Sequence, residues 1–323
     1  MEPFSIATEC GSTVRGYSRG LNDPGDGRVL VLIHGYPQTN FMWRHVIKLL
    51  PETIPLFVPD IPGYGNSTPS QTLHDKATVG TAVLSALRDL CSSKNGDSKA
   101  KPRIVLVGHD RGARICHRLA VDAQQHSDAF TVMGTVLMDI VPTTVQWHGM
   151  ANPAEAAGFF HWPLLANVEL ATSLIMQVGG DLFIRRLFDR WRGSASARGL
   201  ENLTSDGAME VYENSFKQES VIRAACLDYE AGATVDVDAQ KRDQDTGRKL
   251  EIPTLILHSA GLGKRFDMSR TWTEWVAGGD EKCLLEVVEI GDGAGHMFPE
   301  ENPEETVRAM LEWMEKKQGI FFN

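Results

Sequence analysis

The sequence predicts an α/β fold: a mostly parallel β-sheet flanked by helices, with a helical cap inserted after the strand ending at Met138. Short apolar runs recur with helix-compatible segments between them, the alternation expected of a parallel sheet covered on both faces. The runs are nearly continuous in apolar residues, as strands buried on both sides require. The rhythm then breaks between about Val145 and Leu250, where segments rich in Trp, Phe and Leu read as helices and no convincing strand occurs. Taken in order, the expected strands are Arg28–Ile33, Pro55–Pro59, Arg103–Val107, Val132–Met138, Thr254–Leu257 and Leu284–Glu289. The last helix is announced by Asn302-Pro303-Glu304-Glu305, which supplies a cap, a proline at the first helical position and a glutamate able to reach back. Residues 1–144 and 250–323 therefore read as the core, and residues 145–249 as the cap. Ser92–Lys101 and Gln240–Arg248 read as polar surface connections or solvated helix faces, and no internal repeat is evident.

Composition narrows the function classes. At 323 residues, 42% hydrophobic and 23% charged, the chain has the make-up of an ordinary globular protein. Its net charge of −10 argues against nucleic acid or an anionic membrane as partner. No apolar run has the length of a membrane span, and the N-terminus lacks a basic region followed by an apolar stretch. The five cysteines (Cys10, Cys91, Cys116, Cys226, Cys283) are scattered, with no Cys-x-x-Cys pair to suggest a disulfide framework or zinc site. A reducing, cytoplasmic setting is expected.

The most informative stretch is Leu106-Val107-Gly108-His109-Asp110-Arg111-Gly112-Ala113-Arg114. It reads as a strand, a Gly-x-Nuc-x-Gly turn and a helix start, which is the nucleophile elbow of α/β-hydrolases with aspartate in the usual serine position. Small residues on either side allow a strained turn that lifts one side chain above the sheet. An aspartate there attacks as a carboxylate and forms an ester with a substrate carbon, which suits displacement at an alkyl carbon or epoxide opening. A bare Gly-x-Asp-x-Gly is expected by chance on the order of 0.1 times in a chain this long, so the flanking strand and helix carry the weight.

The remaining candidates fall at strand ends. His34-Gly35-Tyr36-Pro37 follows the strand ending at Ile33; the backbone N–H groups of Tyr36 and Arg111 are the expected oxyanion donors. His34 itself reads as a turn histidine bonded to backbone. His296, in Gly293-Ala294-Gly295-His296-Met297-Phe298-Pro299, is the expected general base. Its orienting acid is Asp139, directly after Met138, with Asp267 the competing site. Arg111 and Arg114 lie three apart on the helix that begins at the nucleophile, where cations are disfavoured, and so point to an anionic ligand. Arg118 continues the stripe and reads as structural.

Together these residues resemble the fluoroacetate (haloacetate) dehalogenase family. The string Gly108 to Arg114 matches, and Arg111 stands where haloalkane dehalogenases and most epoxide hydrolases carry tryptophan. Further matches are His34-Gly35-Tyr36-Pro37-Gln38-Thr39, Asp60-Ile61-Pro62-Gly63-Tyr64-Gly65, Asp139-Ile140-Val141-Pro142-Thr143, His161-Trp162 and Asp228-Tyr229-Glu230-Ala231-Gly232. The resemblance spans nearly the whole chain. It implies Asp110 as nucleophile, His296 as base, Asp139 as its partner, and Arg111 with Arg114 as a clamp on a substrate carboxylate. It also implies His161, Trp162 and Tyr229 as donors to the departing halide. The chain departs from the pattern at Pro163, at Asn167–Gly180 and in the connection Ser92–Lys101.

The resulting expectation is a hydrolase acting on small 2-haloacids, with no metal or organic cofactor and a small-molecule carboxylate as partner; a homodimer stays open. One alternative is an epoxide hydrolase using the same triad with cap tyrosines Tyr212 and Tyr229 as proton donors. Another is a non-catalytic binding protein on the same scaffold.

Overall fold

The computed structural model describes residues 1–21, 28–95, 101–193, 197–278, 284–317 and 320. An eight-stranded sheet runs in the order β1-β2-β4-β3-β5-β6-β7-β8. Its strands are β1 (Glu2–Ala7), β2 (Thr13–Arg19), β3 (Arg28–Ile33), β4 (Leu56–Pro59), β5 (Arg103–His109), β6 (Thr131–Met138), β7 (Thr254–Ser259) and β8 (Leu285–Ile290). From β4 to β8 every pairing is parallel, while β1–β2 and β2–β4 are antiparallel. The six expected strands are all present, with ends shifted by up to two residues. The first hairpin is additional. In β2 buried and exposed residues alternate, and β1 buries only Phe4, so neither offers the continuous apolar run by which the others are read.

The helices of the core are α1 (Arg44–Leu49), α2 (Lys76–Asn95) and α3 (Arg111–Val121) before the insertion, and α13 (Ala260–Gly263), α14 (Met268–Thr273), α15 (Phe298–Glu301) and α16 (Pro303–Lys316) after it. Between β6 and β7 the described residues form helices only: α4 (Thr143–Gly149), α5 (Pro153–Gly158), α6 (His161–Leu165), α7 (Val168–Val178), α8 (Gly180–Trp191), α9 (Ala197–Thr204), α10 (Ala208–Phe216), α11 (Glu219–Ala233) and α12 (Val235–Asp245), with a 3₁₀ turn before α10. None of the described helices is long and apolar enough to cross a membrane. Cys10, Cys91, Cys116 and Cys226 are free thiols.

Of residues 240–248, expected as polar surface, seven are exposed and two need correction. Gln240 and Asp243 are buried: Gln240 accepts from the Thr144 N–H at 3.0 Å, and Asp243 accepts from Arg118 at 2.5 Å and Arg248 at 3.0 Å. The polar run is therefore one wall of an ion-pair network that ties α12 to α3, and its polarity is satisfied by partners distant in sequence. Of Ser92–Lys101, residues 92–95 end α2 and residues 96–100 lie outside the described residues. At α16 the Asn302 side chain does accept from the Glu305 N–H (3.3 Å), with Pro303 at the first position. The Glu305 carboxylate turns instead to the Asn302 amide (2.9 Å) and the Gly291 N–H (3.0 Å).

Register places the reactive edge. Ile33 pairs with Gly108, Gly108 with Leu137, and Leu137 with Ile256, so β3, β5, β6 and β7 end together. The chain order reverses between β3 and β5, the switch point where open α/β sheets open a crevice at their carboxyl ends. Here α3 packs so closely on β3 that a Cβ on Gly112 would sit 2.2 Å from the Ile33 carbonyl oxygen. That neighbour is backbone and cannot swing away. Gly112→Ala is expected to cost about 3 kcal/mol of stability or more. Urea unfolding checks this, the midpoint falling with the slope unchanged.

Candidate active site

β5 ends at His109 and α3 begins at Arg111, leaving Asp110 alone to turn the chain. Its backbone takes φ 47° and ψ −112°, a conformation costing of order 1–3 kcal/mol for a residue with a Cβ. Two hydrogen bonds hold it there: Asp110 N–H to the Met138 carbonyl and Arg114 N–H to the Asp110 carbonyl, both 3.1 Å. The turn raises the carboxylate into the crevice, where Oδ1 accepts from the Tyr36 N–H at 2.9 Å. Gly35 makes that approach feasible, since a Cβ there would lie 2.6 Å from the Cβ of Asp110. The Arg111 N–H is the first of α3 and so has no intrahelical acceptor.

Asp139 and His296 complete a chain of contacts. His296 Nδ1 lies 2.7 Å from Asp139 Oδ2, and the second oxygen of Asp139 accepts from the Ser259 N–H at 2.7 Å. With Asp139 as acceptor, the imidazole proton belongs on Nδ1 and the lone pair on Nε2, which faces Asp110 Oδ2 at 3.8 Å. Burial opposes the imidazolium, but Asp139 and Asp110 outweigh it and raise the His296 pKa. For Asp110, burial favours the neutral acid, yet His296, Arg111, His109 and Arg114 together bring its pKa below the usual carboxylate value. The arrangement is an ionised carboxylate beside an oriented imidazole. Asp267 has another task, capping α14 by accepting from the Arg270 N–H at 3.0 Å.

The two arginines differ. Arg111 is fully buried, with Nε 2.6 Å from Asp228 Oδ2 and Nη2 2.8 Å from the Asp228 carbonyl. Lys76 also donates to the Asp228 carboxylate. Burial opposes the charge of Arg111, but Asp228 and Tyr229 outweigh it and keep the guanidinium protonated. Its Nη1 has no acceptor among the described residues. Arg114 lines the cavity, positioned by Nη1 bonds to the Val141 carbonyl and the Thr143 hydroxyl, both 3.0 Å. Burial and then Arg111 lower the Arg114 pKa to about 10. Arg118 pairs with Asp122 at 2.6 Å and serves the α3–α12 network.

The cavity holds about 450 Å³ between the sheet edge and the inserted helices. His161, Trp162 and Tyr229 all line it, and their rings meet edge to face: His161–Tyr229 and Trp162–Tyr229 centroids are both 5.8 Å apart. Trp162 also lies under the guanidinium of Arg114, 4.6 Å from its centroid. Burial lowers the His161 pKa to about 3, so the ring is neutral, and its Nδ1 has no partner among the described residues. Tyr212 does not belong to this group. It is buried beneath α8, stacked on Phe188 at 5.4 Å, and donates to Glu300 at 2.9 Å. The pairing of Tyr212 with Tyr229 as two proton donors in one cavity is therefore corrected: Tyr212 lies against α8, and its hydroxyl is taken by Glu300 of α15. His34 is spent on backbone, with Nδ1 3.0 Å from the Gly35 carbonyl and Nε2 accepting from the Ile61 N–H at 2.9 Å. Among the described residues no cluster of His, Cys, Asp and Glu could hold a metal ion.

Four residues that sequence reasoning passed over hold the His296 loop and Arg111 in place. His109 Nε2 lies 2.8 Å from the His296 carbonyl oxygen, and its ring lies tilted against that of His296, centroids 4.8 Å apart. The His296 N–H donates to the Trp191 carbonyl at 2.9 Å. Glu301 accepts from Gly193 N–H (3.0 Å) and Gly295 N–H (3.1 Å), joining the end of α8 to the loop. Asp228, the fourth, fixes Arg111. Their partners are remote in sequence, and only His109, beside Asp110, and Asp228, beside Tyr229, left a local trace.

Comparison with known proteins follows the same lines. The profile of the Alpha/beta hydrolase family matches residues 30–309. A fluoroacetate dehalogenase of Burkholderia sp is 29% identical, covering 94% of this chain and 96% of its own. A soluble epoxide hydrolase of Corynebacterium sp. (strain C12) is 28% identical over 93% of this chain and 94% of its own. Among solved structures, a Pseudomonas aeruginosa protein described as an epoxide hydrolase superposes with a TM-score of 0.80 at 27% identity, covering 99% of this chain and 97% of its own. The sheet order, the strained aspartate at the end of β5 and a family match across most of the chain lead to one conclusion: this protein is a hydrolase enzyme of the alpha/beta hydrolase family.

Proposed function

We propose that the protein hydrolyses the carbon–halogen bond of a 2-haloacid through an ester on Asp110, with residues 145–249 acting as a cap over the site. The observation that carries this reading is the contact chain Asp139–His296–Asp110 opening into a cavity that also presents Arg114, His161, Trp162 and Tyr229. Arg114, with Nη1 of Arg111 behind it, takes the substrate carboxylate. Asp110 Oδ1 is engaged by Tyr36, so Oδ2 attacks the halogen-bearing carbon from the side opposite the halide. The carbon–halogen pair leaves with the halide, which is held by imidazole, indole and phenol donors. His296 Nε2 then takes a proton from water as the hydroxide attacks Cγ of the ester. The oxyanion that forms on Oδ1 meets the N–H groups of Tyr36 and Arg111. Collapse releases the 2-hydroxyacid and restores the carboxylate; the net reaction adds water and yields hydroxyacid and hydrogen halide. The Burkholderia relative, named for this activity, supports the reading.

Epoxide opening with the same acid and base is the second reading. It rests on the Corynebacterium relative and on the Tyr229 phenol in the cavity. With Tyr212 engaged by Glu300, Tyr229 would be the cap phenol available to protonate the opening ring. Tyr229→Phe separates the two. Loss of epoxide turnover on the order of 10²-fold with haloacid turnover nearly kept would assign the enzyme to epoxides.

Asp110→Asn is expected to lower halide release from chloroacetate or fluoroacetate by on the order of 10⁴-fold. Rapid-quench mass spectrometry of the His296→Ala variant should show the ester accumulating on Asp110; full activity in the first variant overturns the scheme. The pH profile carries a further expectation. The base must be neutral, so activity falls as pH drops through the His296 pKa, and that limb should lie above the ordinary value of 6.5. Asp139→Asn removes the raising partner and should move the limb to lower pH while slowing ester hydrolysis roughly 10³- to 10⁴-fold.

A further inference from the structure

The rim of the cavity has a charge opposite to that of the molecule. The chain carries 32 Lys and Arg against 42 Asp and Glu. The cavity lining includes Arg114, Arg190, Arg192, Lys264 and Arg265 but only two carboxylates, Asp110 and Asp139, both already used at the reacting end. Arg114 is buried, whereas the other four cations are exposed and stand at the mouth.

Their partners sort them. Arg265 is engaged by Glu155, Nε to Oε2 at 2.8 Å, and lies 3.8 Å over the ring of Phe159, which pins α5 to α13. Arg192 has Asp189 at 3.8 Å. Among the described residues Arg190 donates only to a backbone oxygen, that of Ala157 at 3.1 Å, and covers Phe160 at 5.6 Å. Lys264 makes no ion pair among the described residues. Arg190 comes from the end of α8 and Lys264 from the end of α13, so two uncompensated cations from separate elements open onto one cavity.

Size agrees with charge. About 450 Å³ lies in the range that holds drug-sized ligands and is several times what a two-carbon acid fills. Trp191, Phe159 and Leu262 also line the cavity and give it apolar surface suited to methylene groups. Trp191 also accepts from the His296 N–H, so the rim is rigidly joined to the reacting end.

We propose that the site takes a linear carboxylate with a second anionic group, the first carboxylate at Arg114 and the second between Arg190 and Lys264. The inference rests on the 2-haloacid reading for its chemistry but not for its binding, and the two are tested apart. Calorimetry with unreactive acids at low ionic strength tests binding. Glutarate and adipate should bind about tenfold tighter than butyrate and hexanoate, with the advantage lost in Arg190→Gln and in Lys264→Gln and screened by added salt. Equal affinity for mono- and diacids, or an advantage that survives both variants, overturns the proposal. Turnover tests the chemistry. Each variant should lower kcat/KM for 2-bromohexanedioate about tenfold and leave that for chloroacetate within twofold. Failure of both halides to react, with diacid binding intact, removes the 2-haloacid reading and keeps the second anion site. Turnover of both halides unchanged in both variants removes the second site and keeps the reading.

Discussion

Everything at the reactive edge depends on one strained residue. Asp110 is the whole connection between β5 and α3, and its positive φ lets a buried strand end abruptly in a helix with one side chain raised. The strain persists because its neighbours leave no room to relax. Gly108 and Gly112 face each other across the turn, where a Cβ on Gly108 would come within 2.4 Å of the Gly112 backbone. The same geometry aims the N-terminus of α3 at the Asp110 carboxylate and leaves its first N–H free beside it.

A second constraint joins the inserted helices to the sheet. Arg111 reaches back from α3 to Asp228 on α11, and Lys76 on α2 shares that carboxylate. Asp228 also accepts from the Tyr64 hydroxyl at 3.2 Å. A buried carboxylate between two buried cations is costly to break from either side, so this cluster sets where α11 sits and hence where Tyr229 stands. On the opposite flank the end of α8 is joined to the His296 loop through Trp191, Gly193 and Glu301. The position of the inserted helices and that of His296 are therefore one variable.

Burial also decides which groups carry charge. His34, His109 and His161 are held neutral, with pKa values near 4, 4 and 3, while Asp139 and Asp110 keep His296 basic. Among the imidazoles close to the site, His296 is distinguished by its two carboxylate neighbours. Under the proposed reading the floor of the cavity handles displacement and hydrolysis, and the rim selects which acids reach it.

Much of this was legible in the chain. The strands β3 to β7 could be read because strands buried on both faces need continuous apolar runs, and the elbow because its turn needs small residues at fixed spacing around the aspartate. The strand-end positions of Asp139 and His296 followed from the same logic. What the sequence could not disclose depended on contacts between distant segments. Tyr212 and Tyr229 look alike in a helical insertion, yet one is claimed by Glu300 and the other faces the cavity. Arg111 and Arg114 share a helix face, yet Asp228 takes most of one guanidinium while the other lines the site. The β1–β2 hairpin escaped because its burial alternates. Local sequence thus determined the elements and the strand-end placement of Asp110, Asp139 and His296, since backbone sterics and burial act over a few residues. The tertiary structure alone decided which polar side chains are spent on partners and which face the cavity, since that depends on what another part of the chain brings within hydrogen-bonding distance.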